Sequence, residues 1–140
     1  MTGNPGKRDT VSAHPLLVLD ERFHTAVEEL DSDAMRDLWC HHPPVFCLHP
    51  GGVALTTPDA VTDSWQQIFA GLSYAEVRRG HFTVASDGGS WLLTGTEHVT
   101  VVGSAGRAGE LLLAVRVYRR EQAEWRLAVH VAQPFRPPNS

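Results

Sequence analysis

Apolar residues in the first half of the chain recur at intervals of three and four, which is the spacing of amphipathic helices. One such pattern begins at Leu16 and ends near Asp31-Ser32-Asp33, a segment that also supplies the polar cap of a short second helix over 34–39. Thr57-Pro58-Asp59 opens a third helix, because proline fits the first helical turn. Between the second and third helices, residues 45–48 form a short apolar strand that ends at a Pro-Gly-Gly turn.

From Tyr74 onward the period changes to two, which is typical of strands with one buried face. Short polar or glycine-rich segments divide this half of the chain into hairpins. Four strands are predicted, at about 75–85, 90–102, 110–120 and 125–133. Helices followed by an antiparallel run of strands predict an α+β domain, with the helices on one face of a curved sheet.

Length, charge and cysteine content narrow the class of protein. A chain of 140 residues is one ordinary domain, which we place at 15–135 between loose tails over 1–14 and 136–140. The net charge of −4, without a basic cluster, argues against a nucleic-acid partner. No apolar run reaches the length of a membrane span, and Cys40 and Cys47 form no disulfide framework. We therefore expect a cytoplasmic protein with no membrane partner.

The order of these elements and several motifs resemble the nuclear-transport-factor-2-like superfamily, and within it the SnoaL-like bacterial branch. The resemblance covers about residues 16 to 135. It is carried by Phe23, Asp31-x-Asp33-Ala-Met, Trp39, Val45-x-Cys47-x-His49-Pro-Gly-Gly, Val61-x-x-Ser64-Trp65-x-x-Ile-Phe69 and Trp125-Arg-x-x-x-His130-x-x-x-Pro134.

The resemblance implies a cone-shaped, cystatin-like domain in which three helices and a curved, mostly antiparallel sheet enclose a small-molecule pocket. It also implies a homodimer formed through the outer sheet face. Two features depart from the family pattern: Val131 and Gln133 stand where many relatives have a second histidine and a serine, and Thr57-Pro58 stands where a glycine is usual. Fold alone does not define the function, because the superfamily holds both enzymes and binding proteins.

His49 is the first candidate for catalysis, because a turn at a strand end can aim a side chain into a cavity. Histidine also exchanges protons near neutral pH. In the ketosteroid-isomerase relatives, the resemblance places the proton-carrying aspartate at this position. It aligns Phe23 with a tyrosine that donates to the oxyanion; phenylalanine cannot donate, so steroid-isomerase activity is not expected. The structural alternative is a turn histidine bonded to the backbone.

Glu97 is the second candidate for catalysis, since alternation places it on the apolar face of its strand with Leu93 and Val99. An unpaired buried carboxyl would have a raised pKa, as catalytic acids often do. The structural alternative is a partner for an arginine or for an orphan backbone N–H group. Separately, Arg116, flanked by Val115 and Val117, is predicted to face outward.

The pocket itself is expected to be lined by core side chains from both layers. His130 and Gln133 lie on opposite faces of the last strand, so at most one of them can face the pocket. Cys47 lies on the same face of its strand as His49, which leaves a Cys–His pair open. The predicted pocket-lining residues are Phe23, Trp39, Cys47, Trp65, Phe69, His130 and Gln133.

We expect an enzyme without cofactor or metal that performs acid–base chemistry on an apolar metabolite such as a polyketide-type intermediate. Isomerase, cyclase and dehydratase reactions all fit, with His49 moving the proton and Glu97 orienting it or acting as the complementary acid. A non-catalytic ligand-binding or dimeric interaction module is the alternative. A metal site built from His49, His98 and His130 is a second alternative, although no ligand spacing supports it.

Overall fold

Three helices precede an almost uninterrupted run of strands in the computed structural model, which describes residues 15–136. The predicted tail over 1–14 lies outside the described residues, as do residues 137–140 of the tail predicted over 136–140. The elements are α1 (Pro15–Glu28), α2 (Ser32–Leu38), β1 (Phe46–Leu48), α3 (Pro58–Ala70), β2 (Leu72–Ser86), β3 (Ser90–Gly103), β4 (Gly106–Glu121) and β5 (Glu124–Pro134).

The helix starts follow the capping signals of the sequence. The Asp31 side chain caps α2 by accepting a hydrogen bond from the Ala34 N–H at 3.0 Å. The Thr57 hydroxyl caps α3 in the same way, with the Ala60 N–H at 3.2 Å, and Pro58 occupies the first turn. Each cap satisfies a backbone donor that the helix itself leaves without a partner.

The strands form one five-stranded sheet in the order β1-β5-β4-β3-β2. Only β1 and β5 run parallel, and the other pairs are antiparallel, so the α+β fold class with a mostly antiparallel sheet is confirmed. The pairing of β2 with β3 shifts register between Arg79 and Phe82, and such a bulge bends a strand. Gly95 lies opposite this bulge, where an added Cβ would meet the His81 carbonyl oxygen at 2.5 Å.

The strands are longer than predicted, most clearly at the start of β4. Residues 106–109 carry no alternating apolar pattern, yet they pair with the end of β3 and extend the hairpin to its two-residue turn. The core fills the space between the helices and the concave face of the sheet. Within residues 15–136, no helix is both long and apolar enough to span a bilayer.

Candidate functional site

A cavity of about 650 Å³ lies between the helices and the concave face of the sheet. This volume is within the usual range for small-molecule sites. Most of its lining is aliphatic or aromatic, from α1, α3 and the strands β2 to β5. The polar side chains in the lining are His49, Glu97, Glu110 and His130.

The turn after β1 places His49 at this cavity. The Gly52 N–H donates to the His49 carbonyl at 2.9 Å, and Gly51 has φ +71°, a conformation that glycine adopts readily. Proline followed by such a glycine is the sequence of a type II turn. The Gln133 amide also donates to the His49 carbonyl, at 3.0 Å, so two bonds hold the backbone from which the imidazole projects.

Ser64 on α3 defines the tautomer of His49. The Ser64 hydroxyl donates to the Val61 carbonyl at 2.6 Å, and its oxygen lies 2.9 Å from His49 Nε2. A hydroxyl has only one proton, so Ser64 Oγ must accept from His49 Nε2–H. A neutral imidazole carries one N–H, and Nδ1 of His49 therefore holds the free electron pair.

Burial lowers the pKa of His49 to about 4, so this side chain is neutral at pH 7. Trp65 encloses it with an edge-on contact at 4.7 Å between ring centroids. A neutral imidazole with a free Nδ1 can accept a proton but has none to give from that atom. His49 thus has the state of a general base before reaction.

His130 lies on β5 beside His49, with 6.4 Å between the two ring centroids. Its side chain is buried among aromatic rings, at 4.9 Å from Phe23 and 5.5 Å from Trp65. Burial, and the positive charge of Arg116 behind it, lower its pKa well below the usual value, so His130 is also neutral. Its Nδ1 has no hydrogen-bond partner among residues 15–136.

Behind this aromatic layer, Arg116 lies fully buried in a charged cluster that joins α1 to three strands. Arg116 Nε donates to Asp20 at 2.7 Å, and its two terminal nitrogens donate to both oxygens of Glu97. The Tyr118 hydroxyl donates to Asp20 at 2.8 Å, and Arg79 pairs with the same carboxylate. The charged cluster comprises Asp20, His24, Arg79, Glu97, Arg116 and Tyr118. The prediction that Arg116 faces outward is wrong.

His24 bridges the two halves of this charged cluster. Its Nε2 lies 2.8 Å from Glu97, and its Nδ1 lies 3.3 Å from the guanidinium of Arg79. Since an ionised carboxylate can only accept, the short contact with Glu97 places a proton on Nε2, and Arg116 lies 3.3 Å from the same nitrogen. The carboxylates of Asp20 and Glu97 face the guanidinium groups of Arg79 and Arg116.

The cluster corrects the prediction for Glu97. This side chain is buried and lines the cavity, as the alternation of β3 indicates. Burial by itself would raise its pKa, but the hydrogen bond from His24 and the charge of Arg116 outweigh that effect and hold the pKa well below its usual range. Glu97 is therefore ionised and has no proton to give. Nor does it orient His49, whose hydrogen-bond partner is Ser64.

Neither candidate metal set fits a cation. Oxygen and nitrogen atoms of Asp20, His24 and Glu97 lie within 4.8 Å of one another, but Arg116 donates to both carboxylates in that space. A guanidinium there supplies the positive charge that a metal would bring. His98 is exposed on the opposite face of β3 from Glu97, so the predicted set of His49, His98 and His130 does not converge.

Six of the predicted site residues line the cavity: Phe23, His49, Trp65, Phe69, Glu97 and His130. Three other residues predicted to line it do not. Trp39 is fully buried where its backbone bridges to Leu127 on β5. Gln133 faces the His49 backbone. Cys47 is also fully buried, 3.6 Å from His49 Nε2, and burial raises the pKa of its thiol to about 12. A thiolate nucleophile is therefore not formed in a Cys–His pair.

Sequence reasoning missed Asp20, His24 and Tyr118. Asp20 lies three residues before Phe23 and four after Leu16, within the apolar stripe of α1, and His24 follows it by one turn. A charged residue inside an apolar stripe is the signal that could have identified a buried partner for Arg116.

Helices on a curved sheet that close around a largely apolar cavity define an α+β protein with a small-molecule site. The family model of the SnoaL-like domain matches residues 18–134, and the chain belongs to this family. No curated protein matches the sequence.

Solved structures place the chain in the nuclear-transport-factor-2-like superfamily. A candidate dehydratase of the NTF2-like family from Streptomyces avermitilis is 26% identical, with a TM-score of 0.81 over 92% of this chain and 99% of that one. A candidate calcium/calmodulin-dependent protein kinase type II association domain from Thiobacillus denitrificans is also 26% identical, with a TM-score of 0.70 over 84% and 93%. A cystatin-like protein from Caulobacter vibrioides shares the fold at 12% identity, with a TM-score of 0.75 over 87% and 88%.

Proposed function

We propose that the protein is a cofactor-independent enzyme that performs acid–base chemistry on an apolar metabolite, with His49 as the general base. The observation that carries this proposal is a neutral imidazole whose Nε2–H is held by Ser64 and whose Nδ1 is free at an apolar cavity. Similarity to a candidate dehydratase supports the same class of chemistry. Isomerisation, cyclisation and dehydration of a polyketide-type intermediate all begin with such a proton transfer.

In the proposed step, a C–H bond next to a carbonyl breaks and its proton moves to His49 Nδ1. The electron pair forms an enolate, and the imidazole becomes imidazolium. The same imidazolium then returns the proton, to another carbon in an isomerisation or to a departing hydroxyl group in a dehydration. A weak base with a pKa between about 4 and 5 suffices for enolisation when the oxygen of the substrate is held by hydrogen bonds.

The test uses 2-tetralone, an apolar ketone with acidic α-hydrogens, in D₂O. We expect the protein to accelerate exchange of these hydrogens for deuterium, observed by ¹H NMR, and His49→Gln to abolish the acceleration. His41→Gln is the matched control, because His41 is an exposed histidine in the loop before β1. Exchange that persists unchanged in His49→Gln contradicts the proposal. Binding of 2-tetralone without any exchange favours the non-catalytic binding alternative.

We also propose a homodimer through the outer sheet face. Leu111 and Leu113 on β4 and Leu92 on β3 are exposed there by about two-fifths of their surface, and structural similarity to association domains supports a role for this fold in assembly. Size-exclusion chromatography with light scattering should give twice the chain mass, and Leu111→Glu should give the monomer. Val18→Glu, at an exposed apolar site on α1, is the control and should stay dimeric.

A further inference from the structure

No lysine or arginine of residues 15–136 lines the cavity. Its ionisable lining residues are His49, Glu97, Glu110 and His130. Both histidines are neutral, as described above, and Glu97 is ionised. The histidines of the cavity wall therefore present no charge to a ligand, and Glu97 presents a negative charge.

The guanidinium of Arg116 is buried next to the cavity but is not available to pair with an anionic ligand. Its nitrogens are occupied by Asp20 and Glu97, and its flat face stacks on Phe23 with 4.3 Å between Cζ and the ring centroid. A carboxylate or phosphate entering the cavity would have to break these ion pairs or remain unpaired beside Glu97. Burying an unpaired charge costs several kcal/mol, so anions are strongly disfavoured.

His130, by contrast, offers a polar atom without a partner. Its side chain is only 4% exposed, it lines the cavity, and Nδ1 has no hydrogen-bond partner among residues 15–136. Nδ1 is enclosed by protein atoms, so a ligand oxygen reaches it when the imidazole turns towards the cavity, and that bond removes the cost of leaving a buried polar atom unpaired. Phe23 and Trp65 flank the same ring, so the rest of the ligand meets aromatic surface.

We propose that the cavity selects an uncharged ligand with an apolar, ring-sized body and one hydroxyl or carbonyl oxygen that hydrogen-bonds to His130. His49 lies beside His130, so an oxygen held there keeps its neighbouring carbons close to the base. This part of the proposal rests on the proposed function, because His130 would hold the carbonyl oxygen next to the carbon that His49 deprotonates. His130 would act as a binding and specificity residue.

The test compares 2-naphthol and 2-naphthoate, which share one aromatic body and differ in charge at pH 7. Quenching of tryptophan fluorescence reports binding, since Trp65 lines the cavity. We expect 2-naphthol to bind at least tenfold more tightly than 2-naphthoate. In His130→Phe, 2-naphthol should bind about fivefold more weakly, because its hydrogen bond to the imidazole is lost. The His41→Phe variant, at an exposed histidine in the loop before β1, should bind 2-naphthol as the native chain does.

Equal or tighter binding of 2-naphthoate overturns the proposal, as does an unchanged affinity for 2-naphthol in a folded His130→Phe protein. If His130→Phe does not fold, His130→Gln replaces it, and we expect it to bind 2-naphthol more weakly than the native chain but still to prefer it over 2-naphthoate. These binding constants are independent of turnover. Failure of deuterium exchange in 2-tetralone with a preserved naphthol preference would therefore reject the catalytic role of His49 alone.

Discussion

Two groups of buried polar side chains meet at the cavity wall, and they differ in how their hydrogen bonds are used. In the charged cluster around Arg116, both carboxylates and both guanidinium groups have partners of opposite charge. In the histidine pair, His49 and His130 are uncharged, and His130 Nδ1 has no partner in the described part of the chain.

Burial has a different consequence in the two groups. In the charged cluster it accompanies the pairing of every charge, whereas in the histidine pair it leaves a nitrogen atom without a partner among the described residues. A buried charge persists only when it is paired, and once paired it has no proton or bond to offer a ligand. A buried neutral imidazole retains a free nitrogen at lower cost. Carboxylates are the usual first candidates for catalytic residues, but here an uncharged histidine, His130, has a nitrogen atom without a partner among residues 15–136.

The largest expected effect comes from breaking the charged cluster. Arg116→Met should lower the free energy of unfolding by about 3–5 kcal/mol, because Asp20 and Glu97 would remain buried without their main partner. Urea denaturation followed by circular dichroism measures this change. Arg120→Met, at an exposed arginine on the same strand that stacks on Trp125, should cost less than about 1 kcal/mol. If Arg116→Met costs no more than Arg120→Met, the charged cluster contributes little to the free energy of unfolding.

The pH dependence of stability should distinguish the two groups. His49 and His130 have lowered pKa values, so the unfolded chain takes up protons that the folded chain does not, and stability falls as the pH drops from 6.5 towards about 4. The shift of His49 by itself predicts a loss of about 3 kcal/mol in this window, and His130 adds to it. The carboxylates of Asp20 and Glu97, whose pKa values are also lowered, lose their contribution only below this range.

Urea titrations at pH 7.5, 5.5 and 4.5 measure the histidine window. The stability of the double variant His49→Gln, His130→Gln should change little across these three pH values, and His41→Gln, at an exposed histidine in the loop before β1, should behave like the native protein. A double variant with the native pH dependence would show that these two histidines are not responsible for the loss.

The smallest expected effect comes from removing the hydroxyl that sets the tautomer of His49. Ser64→Ala should cost only about 0.5–1.5 kcal/mol of stability. It should nevertheless slow deuterium exchange in 2-tetralone about tenfold, since Nε2–H is no longer held. Thr62→Ala removes a hydroxyl that bonds only to the Pro58 and Asp59 carbonyls of α3, and should leave exchange unchanged. Nitrogen-15 NMR that finds the proton on Nδ1 of His49 in the native protein would contradict the assignment.

The local parts of this structure could be read from the sequence, but the pairing of distant residues could not. Caps at Asp31 and Thr57, the turn after His49 and the inward position of Glu97 depend on neighbours in the chain. The position of Arg116 was misread because β4 carries apolar residues on both faces: Leu112 and Ala114 point inward, while Leu113 is exposed. The alternation of apolar and polar residues cannot show which face of a strand is buried when both faces carry apolar side chains.

The state of Glu97 depends on partners that alternation does not identify. His24 and Arg116 lie 73 and 19 residues away along the chain, on α1 and β4, and nothing in the local pattern connects them. Their approach follows from the docking of α1 on the sheet and from the register of β3 and β4. The same holds for the bond between His49 and Ser64, which joins the turn after β1 to the second turn of α3.

The bonds between Asp20 and Arg116 span 96 residues, and this separation bears on how the chain is synthesised. Helix α1 is made well before the strand that supplies its counter-charge. Until that strand has been made, Asp20 lacks its main partner. The ion pair can therefore fix α1 on the sheet only after most of the chain has been synthesised.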